Sequence, residues 1–390
     1  MDDLLERVRE LGCGRRLLDA VGDAGGAYLV GGAVRDLLLG RVPRELDVVV
    51  EGDVDALAAA LGDVATAHER FGTATVRDGD CRWDLAASRA EQYERPGALP
   101  DVRPAPIEQD LRRRDVTINA LALDLRSGEL HAAEHALEDL AAGRLRVLHD
   151  ASLRDDPTRL WRIARYAARL GFALEPHTAQ LAAEAVAAGL AERVSGARIG
   201  SELRLALAEP DPVAALERAV ALGIAPWLEV DRDRTAAALA LLPAGEGRAD
   251  LVVLAAALAE SCDDADQRLA GLDFTAAERT VLRAAARAPQ IAAAALAAQR
   301  PSQLARVLRA LPVEAVALAG AAGAAEPVRR WLGELRHVAL QIDGSDLLGA
   351  GVPRGPQVGR GLAAALDLRL DGELGADRAA QLAAALAAAE

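Results

Sequence analysis

Glu45 and Asp47, one residue apart, follow a Gly31-Gly32 turn in the stretch Leu29-Val30-Gly31-Gly32-Ala33-Val34-Arg35-Asp36 … Glu45-Leu46-Asp47-Val48-Val49-Val50. Alternate side chains on a strand share a face. The two carboxylates would therefore project together while Leu46 and Val48 point into a core. Paired carboxylates on one face can hold magnesium ions that bridge a substrate phosphate. Tyr28 to Val30 reads as a strand that ends at the glycines, and Val34 to Leu39 reads as a helix, whose free backbone N–H groups can face a polyphosphate. Two other readings compete. One is a solvated Glu-x-Asp at a strand start. The other is a dinucleotide-binding turn with Glu51 as its ribose acid, weakened because no G-x-G-x-x-G is present.

Two further segments carry guanidinium chemistry. Asp110-Leu111-Arg112-Arg113-Arg114-Asp115-Val116-Thr117-Ile118-Asn119-Ala120 leads an arginine cluster into a short apolar stretch with an internal Asn, and guanidinium forks suit phosphate and ribose contacts. In Asp155-Asp156-Pro157-Thr158-Arg159-Leu160-Trp161-Arg162-Ile163-Ala164-Arg165-Tyr166, Pro157 suits the first turn of a helix. On that helix Asp156 and Arg159 would share a face, as would Arg159, Arg162 and Arg165. A carboxylate beside a guanidinium can read a base edge, the acid accepting from an exocyclic amine and the arginine donating to ring acceptors. The alternative is a capped helix with an i,i+3 salt bridge and a solvated basic face.

These residues need a scaffold, and 390 residues suffice for two to four domains. Strand-like runs with turn signals fill residues 22 to 150: Tyr28 to Val30, Leu46 to Val50, Thr73 to Val76, Arg82 to Leu85 and Ile118 to Asp124. Beyond Asp150, alanine- and leucine-rich stretches read as successive helices: Leu160 to Leu170, His177 to Ala188, Asp211 to Leu222, Ala249 to Glu260, Ala276 to Ala286 and Pro301 to Leu311. The pattern predicts an α+β head on a helical body. Ser88 to Asp110, with five prolines and glycines, reads as a long irregular loop. His131-Ala132-Ala133-Glu134-His135 fits the H-x-x-E-H zinc pattern, but its strand–turn–strand surroundings do not put both histidines on one helix face.

Composition narrows the function classes. Every one of the 45 basic residues is arginine, which excludes Schiff-base and Walker-lysine chemistry. A net charge of −14 argues against indiscriminate nucleic-acid binding, though not against a local arginine surface. Cys13, Cys81 and Cys262 are odd in number and far apart, which predicts free thiols in a reducing cytoplasm, with Cys81 packing beside Trp83. The acidic N-terminus lacks an apolar leader, and no apolar run is long enough to span a membrane. A soluble, cytoplasmic protein with no obligate protein partner is expected.

In order and spacing, L-V-G-G-x-V-R-D, x-L-D-V-V-V, R-R-D-x-T-I-N-A and D-D-P-x-R-x-x-R-x-x-R-Y resemble the class II tRNA nucleotidyltransferases, the CCA-adding enzymes, and the related bacterial poly(A) polymerases. The segment Asp84 to Pro100 is similar to the flexible loop of the tRNA-repair branch. Gly344-Ser345-Asp346-Leu347-Leu348 with Gly351, Gly355-Pro356 and Gly359 is similar to that family's tail. The resemblance implies an α+β fold, with a small mixed-sheet, polymerase-β-like head followed by an all-α neck, body and tail. The corresponding boundaries are residues 1–150, 151–215, 216–335 and 336–390, the last expected to bind tRNA through Arg354 and Arg360.

The activity implied is template-free addition of CMP and AMP from CTP and ATP to the 3′ end of tRNA, with Mg2+ and release of pyrophosphate. Adding only A, polyadenylation, or RNA binding without catalysis are the alternatives. The resemblance assigns triphosphate contacts to Gly31, Gly32, Arg35 and Asp36. It gives the metals to Glu45 and Asp47, with Asp84 as a third acid. Ribose selection falls to Arg113, Arg114, Asp115 and Asn119, and base selection to Asp156 and Arg159, with Arg162 and Arg165 on the phosphate side. Two residues depart from the family pattern. Glu45 stands where the family usually has Asp, and its extra methylene shifts the ligating oxygens, a displacement that at a reacting centre can cost on the order of a hundredfold. Asp155 replaces the leading Glu of the helix motif.

Overall fold

The computed structural model describes residues 4–22, 26–68, 72–258 and 262–389. The first three residues of the acidic N-terminus, and the last two of the helix expected to reach Glu260, lie outside them. The chain divides into two compact units, Met1–Ala225 and Pro226–Glu390.

Among the described residues the first unit holds eleven strands: β1 (Ala27–Val30), β2 (Leu46–Val50), β3 (Asp63–His68), β4 (Thr73–Asp78), β5 (Cys81–Ala87), β6 (Arg89–Gln92), β7 (Asp101–Pro104), β8 (Leu121–Asp124), β9 (Leu130–Ala132) and a short parallel pair, β10 (Arg144–Leu145) and β11 (Ala173–Leu174). Seven of them form one sheet in the order β3-β4-β5-β2-β1-β8-β9. It is mixed, as expected for the head: β2 and β5 run parallel, and β1 is antiparallel to both β2 and β8. The central strands are apolar because both their faces are covered. All four residues of β1 are buried, and Leu29, Val34, Trp83, Leu85, Leu121 and Leu123 are nearly or wholly inaccessible. An antiparallel β1–β2 pair cannot form the parallel β-α-β unit of a dinucleotide fold. Glu51 is likewise structural, its carboxylate accepting from Ile107 N and from the Tyr28 hydroxyl at 3.3 Å.

Several expectations are corrected. Ser88 to Asp110 is not irregular: β6 and β7 pair antiparallel, Arg89 opposite Pro104 and Gln92 opposite Asp101, and the helix Ile107–Arg112 follows. Its breakers sit in the turn and at the ribbon's end, where a missing N–H costs no ladder bond. The strand read as Ile118 to Asp124 starts at Leu121, after a 3-10 turn at Thr117–Asn119. Cys13 and Cys81 are joined in a disulfide, their Cα atoms 5.4 Å apart. A separation of 68 residues hid that pair, because only folding lays the helix Gly12–Val21 against β5.

The expected helices beyond Asp150 form with ends shifted by a residue or a few: Arg159–Leu170, Pro176–Ala187, Pro212–Ala221, Ala249–Ala257, Ala276–Ala285 and Pro301–Leu308. The second unit is helical among the described residues. At its end the helices Pro356–Leu370 and Arg378–Ala389 pack closely at Gly361, where a Cβ would lie 2.4 Å from the Ala385 carbonyl oxygen. Among the described residues no helix is long and apolar enough to cross a membrane.

Candidate active site

A cavity of about 570 Å³ opens beside the end of β1. Gly31 leaves the strand with φ of 67°, a conformation glycine adopts without strain. A side chain there would also meet Arg114 Nη1, 3.0 Å from an added Cβ. Gly32 starts the helix Gly32–Leu38, whose Arg35 is almost wholly buried, donating to Asn119 Oδ1 at 2.6 Å and to Asp36 Oδ1 at 2.9 and 2.7 Å. Gly31, Gly32, Arg35, Asp36 and Asn119 thus form one wall.

Glu45 and Asp47 both line the cavity, with Leu46 and Val48 buried behind them as the alternation requires. Glu45 lies one residue before β2 and is exposed. Asp84 sits in β5 in register with Asp47, held by Thr75 Oγ1 at 2.5 Å and by Arg82 Nη2 at 2.9 Å. Burial, then the negative charges of Glu45 and Asp84, push the Asp47 carboxyl up to about 6 against the pull of Arg114 and Arg162. Burial contributes most to that elevation, and the neighbouring acids add to it. Among the described residues no three acidic, histidine or cysteine side chains converge into a ready-made metal cage. The donor set still fits magnesium, which takes one or two carboxylates and completes its octahedron with water and substrate phosphate.

Asp110, fully buried, fixes the arginines of the opposite wall: Oδ1 accepts from Arg113 Nε and Oδ2 from Arg114 Nη2, each at 2.8 Å. Glu91 accepts from Arg113 at 2.8 Å, from Arg89, and from the Tyr93 hydroxyl at 2.9 Å. Asp115 accepts from Arg162 Nε at 2.7 Å, the Tyr166 hydroxyl at 2.9 Å, Asn119 Nδ2 at 3.2 Å and Val116 N at 2.8 Å. Burial alone would raise the Asp115 carboxyl. Arg162 and these hydrogen bonds outweigh it and hold the group well below the usual carboxylate range.

The helix expected to carry Asp156 and Arg159 on one face begins only at Arg159. Asp156 precedes it in extended conformation, its carboxylate accepting from Thr158 N and Oγ1 and from Arg198 Nη2 at 2.8 Å. A short polar side chain that binds the backbone two residues on competes with the helix, so Pro157 ends up in a turn rather than a first helical turn. Asp156 does not line the cavity, whereas Arg159, Arg162 and Arg165 do. Arg159 is nearly buried and donates to Ser152 Oγ and the Arg113 carbonyl, both at 2.6 Å.

Arg44, Glu91, Tyr166, Arg169, Leu205 and Glu209 also line the cavity and were missed. Glu209 ties Arg165 and Arg169 together, at 3.1 and 2.5 Å. Two of these had a legible signal: Tyr166 closes the arginine motif, and Arg169 extends the arginine row by one more helical turn. The H-x-x-E-H histidines do not act as a pair: His131 lies on β9, while His135 precedes the helix Ala136–Ala142 at φ 63° and contacts Glu138.

Residues 27–146 match the poly A polymerase head domain. An A-adding tRNA nucleotidyltransferase of Geobacter sulfurreducens is 34% identical over 89% of this chain and 43% of its own length. A CC-adding tRNA nucleotidyltransferase of Deinococcus radiodurans is 46% identical over 47% of this chain and 50% of its own. The chain spans half or less of the length of these curated relatives. The Thermotoga maritima CCA-adding enzyme complexed with tRNA superposes with a TM-score of 0.76 at 27% identity, over 99% of this chain and 98% of that one. With the Gly31-Gly32 turn, the acidic pair and the arginine walls in place, residues 27–146 form a poly A polymerase head domain, and the chain is similar over most of its length to tRNA nucleotidyltransferases.

Proposed function

We propose that this chain transfers CMP and AMP from CTP and ATP to the 3′ end of tRNA in the cytoplasm, in a magnesium-dependent reaction that releases pyrophosphate. The observation that carries this reading is the Glu45–Asp47 pair in a cavity that also presents a row of arginines, with Asp84 in register beside Asp47. The Gly31-Gly32 turn lets a triphosphate approach the backbone, with Arg35 and Asp36 behind it. Arg162, Arg165 and Arg169 neutralise its charge, and Asn119, Arg113 and Arg114 lie where a ribose would be held. Arg159 and Asp156 choose the base, Asp156 swinging from Arg198 toward the nucleotide. Glu45 and Asp47 would hold magnesium, which stabilises the attacking and leaving oxygens of an in-line displacement. Asp84 keeps the local field negative enough to retain it. The all-α segments 151–215, 216–335 and 336–390 serve as neck, body and tRNA-binding tail.

A narrower reading, addition of A alone, is favoured by the likeness to an A-adding relative over 89% of this chain. One experiment separates the two. Purified protein is incubated with tRNAs lacking A, CA or CCA, each with labelled CTP or ATP. Labelling of all three substrates by the appropriate nucleotide supports full CCA addition, and AMP entering only the tRNA that ends in CC supports the narrower activity. No incorporation into any of them would remove the transferase reading.

A further inference from the structure

A polar row crosses the sheet from the acidic cluster outward. Pairing sets Thr66 of β3 opposite Thr75 of β4, Thr75 opposite Asp84 of β5, and Asp84 beside Asp47 of β2. Thr73, two residues from Thr75, shares its face. These side chains line a second cavity of about 400 Å³, which shares Asp47, Arg113 and Arg114 with the nucleotide cavity but none of its glycine-turn wall. Asp47 therefore stands between two spaces, one with the phosphate-cradling turn and one with threonine hydroxyls.

We propose that this second cavity receives the terminal ribose of the acceptor RNA, and that Thr66 and Thr73 recognise its 2′-hydroxyl. The inference rests on the transferase reading above. In-line displacement requires the attacking 3′-hydroxyl to approach from the side opposite the leaving pyrophosphate, and the threonine-lined space borders Asp47 while lying away from the Gly31-Gly32 turn that would cradle the phosphates. A threonine hydroxyl both donates and accepts, which matches the 2′-hydroxyl, the group that distinguishes RNA from DNA. Thr75 is committed to Asp84 at 2.5 Å, so it orients that acid, while Thr66 and Thr73 do the reading. Arg114, whose buried Nε has no hydrogen-bond partner, reaches both spaces and suits the phosphate preceding the ribose.

The test uses full-length protein and two acceptor RNAs, identical except for ribose or 2′-deoxyribose at the 3′ terminus. Wild type is expected to show a higher KM for the deoxy-terminated acceptor. The double variant Thr66→Val with Thr73→Val should raise KM for the ribose acceptor by about tenfold, the loss of two ordinary hydrogen bonds. It should also erase the difference between the acceptors and leave KM for CTP unchanged. Thr66→Ser with Thr73→Ser, which keeps both hydroxyls, should restore the preference, and CTP binding by equilibrium dialysis reports that each variant is folded. A wild type that incorporates nothing overturns the transferase reading itself. An active valine variant that keeps the ribose preference, or in which KM for CTP rises in step with that for RNA, overturns the subsite alone.

Discussion

Arg162 and Asp115, 47 residues apart in sequence, meet at 2.7 Å and join the helix Arg159–Leu170 to the segment that follows the helix Ile107–Arg112. Tyr166, one helical turn on, donates to the same carboxylate oxygen at 2.9 Å. One buried acid thus anchors both Arg162 of the cationic row and, through Asn119, the Arg35 wall of the cavity. Site and fold depend on the same contacts.

Asp115 makes stability depend on pH in a definite sense. Its carboxyl titrates lower in the folded chain than in the unfolded one, so its contribution is present above the unfolded value of about 3.9 and is lost as pH falls below it. Asp115→Asn should cost about 1–3 kcal/mol at neutral pH, the penalty for unpairing buried partners. It should also flatten the acid limb of the stability curve. Denaturant midpoints from pH 7 down to pH 3 test this, and an unchanged acid limb would show that Asp115 does not couple the elements.

Under the proposed base-reading role of Asp156 and Arg159, the structure sets the expected effects of their removal. Asp156 lies outside the cavity wall, where its carboxylate holds Thr158 and Arg198, so Asp156→Ala should blur selection among CTP, ATP, UTP and GTP by about 1–3 kcal/mol of discrimination. It should also lower stability by about 0.5–2 kcal/mol, the cost of losing a capping side chain. Arg159 is buried between Ser152 and the Arg113 carbonyl. Its removal should lower selectivity and stability together. Competition assays with all four nucleotides, alongside thermal melts, check both. Unchanged selectivity in both variants would reduce them to helix-capping and packing residues.

The Cys13–Cys81 bond ties the helix Gly12–Val21 to the strand that carries Asp84. Thiol titration of denatured, unreduced protein should count one free cysteine of the three, and three after reduction. Closing a 68-residue loop stabilises by about 4 kcal/mol in the chain-entropy model, so Cys13→Ser should lower the melting temperature of oxidised protein to that of the reduced wild type. Three titratable thiols before reduction would show the pair open.

The residues that were legible in sequence are those whose signal is local. Alternation placed Leu46 and Val48 inside and Glu45 and Asp47 on the cavity. Glycine chemistry placed the Gly31-Gly32 turn, and alanine- and leucine-rich periodicity placed most helices within a few residues. What escaped depended on distant partners. The β6–β7 ribbon forms because Arg89 to Gln92 finds a partner strand beyond a proline-rich turn, and no local pattern announces that pairing. Asp156 left its expected helix because Thr158 and Arg198 offered its carboxylate better partners than the helix start did. Glu209 and Glu91 gain their place only when the helix Gly196–Leu207 and the ribbon are brought to the cavity.

The central claim is that the Glu45–Asp47 cluster holds the metal for nucleotide transfer, and single-turnover incorporation of CMP into tRNA lacking CCA, across a magnesium titration, tests it most directly. Wild type should show saturable magnesium dependence. Asp47→Ala should abolish incorporation at every magnesium concentration while the protein still folds, because the change removes a cavity-lining carboxylate rather than an apolar core contact. Glu45→Asp should remain active with a shifted magnesium midpoint. Incorporation by wild type that ignores magnesium, or an Asp47→Ala variant that transfers CMP at the wild-type rate, would contradict the account.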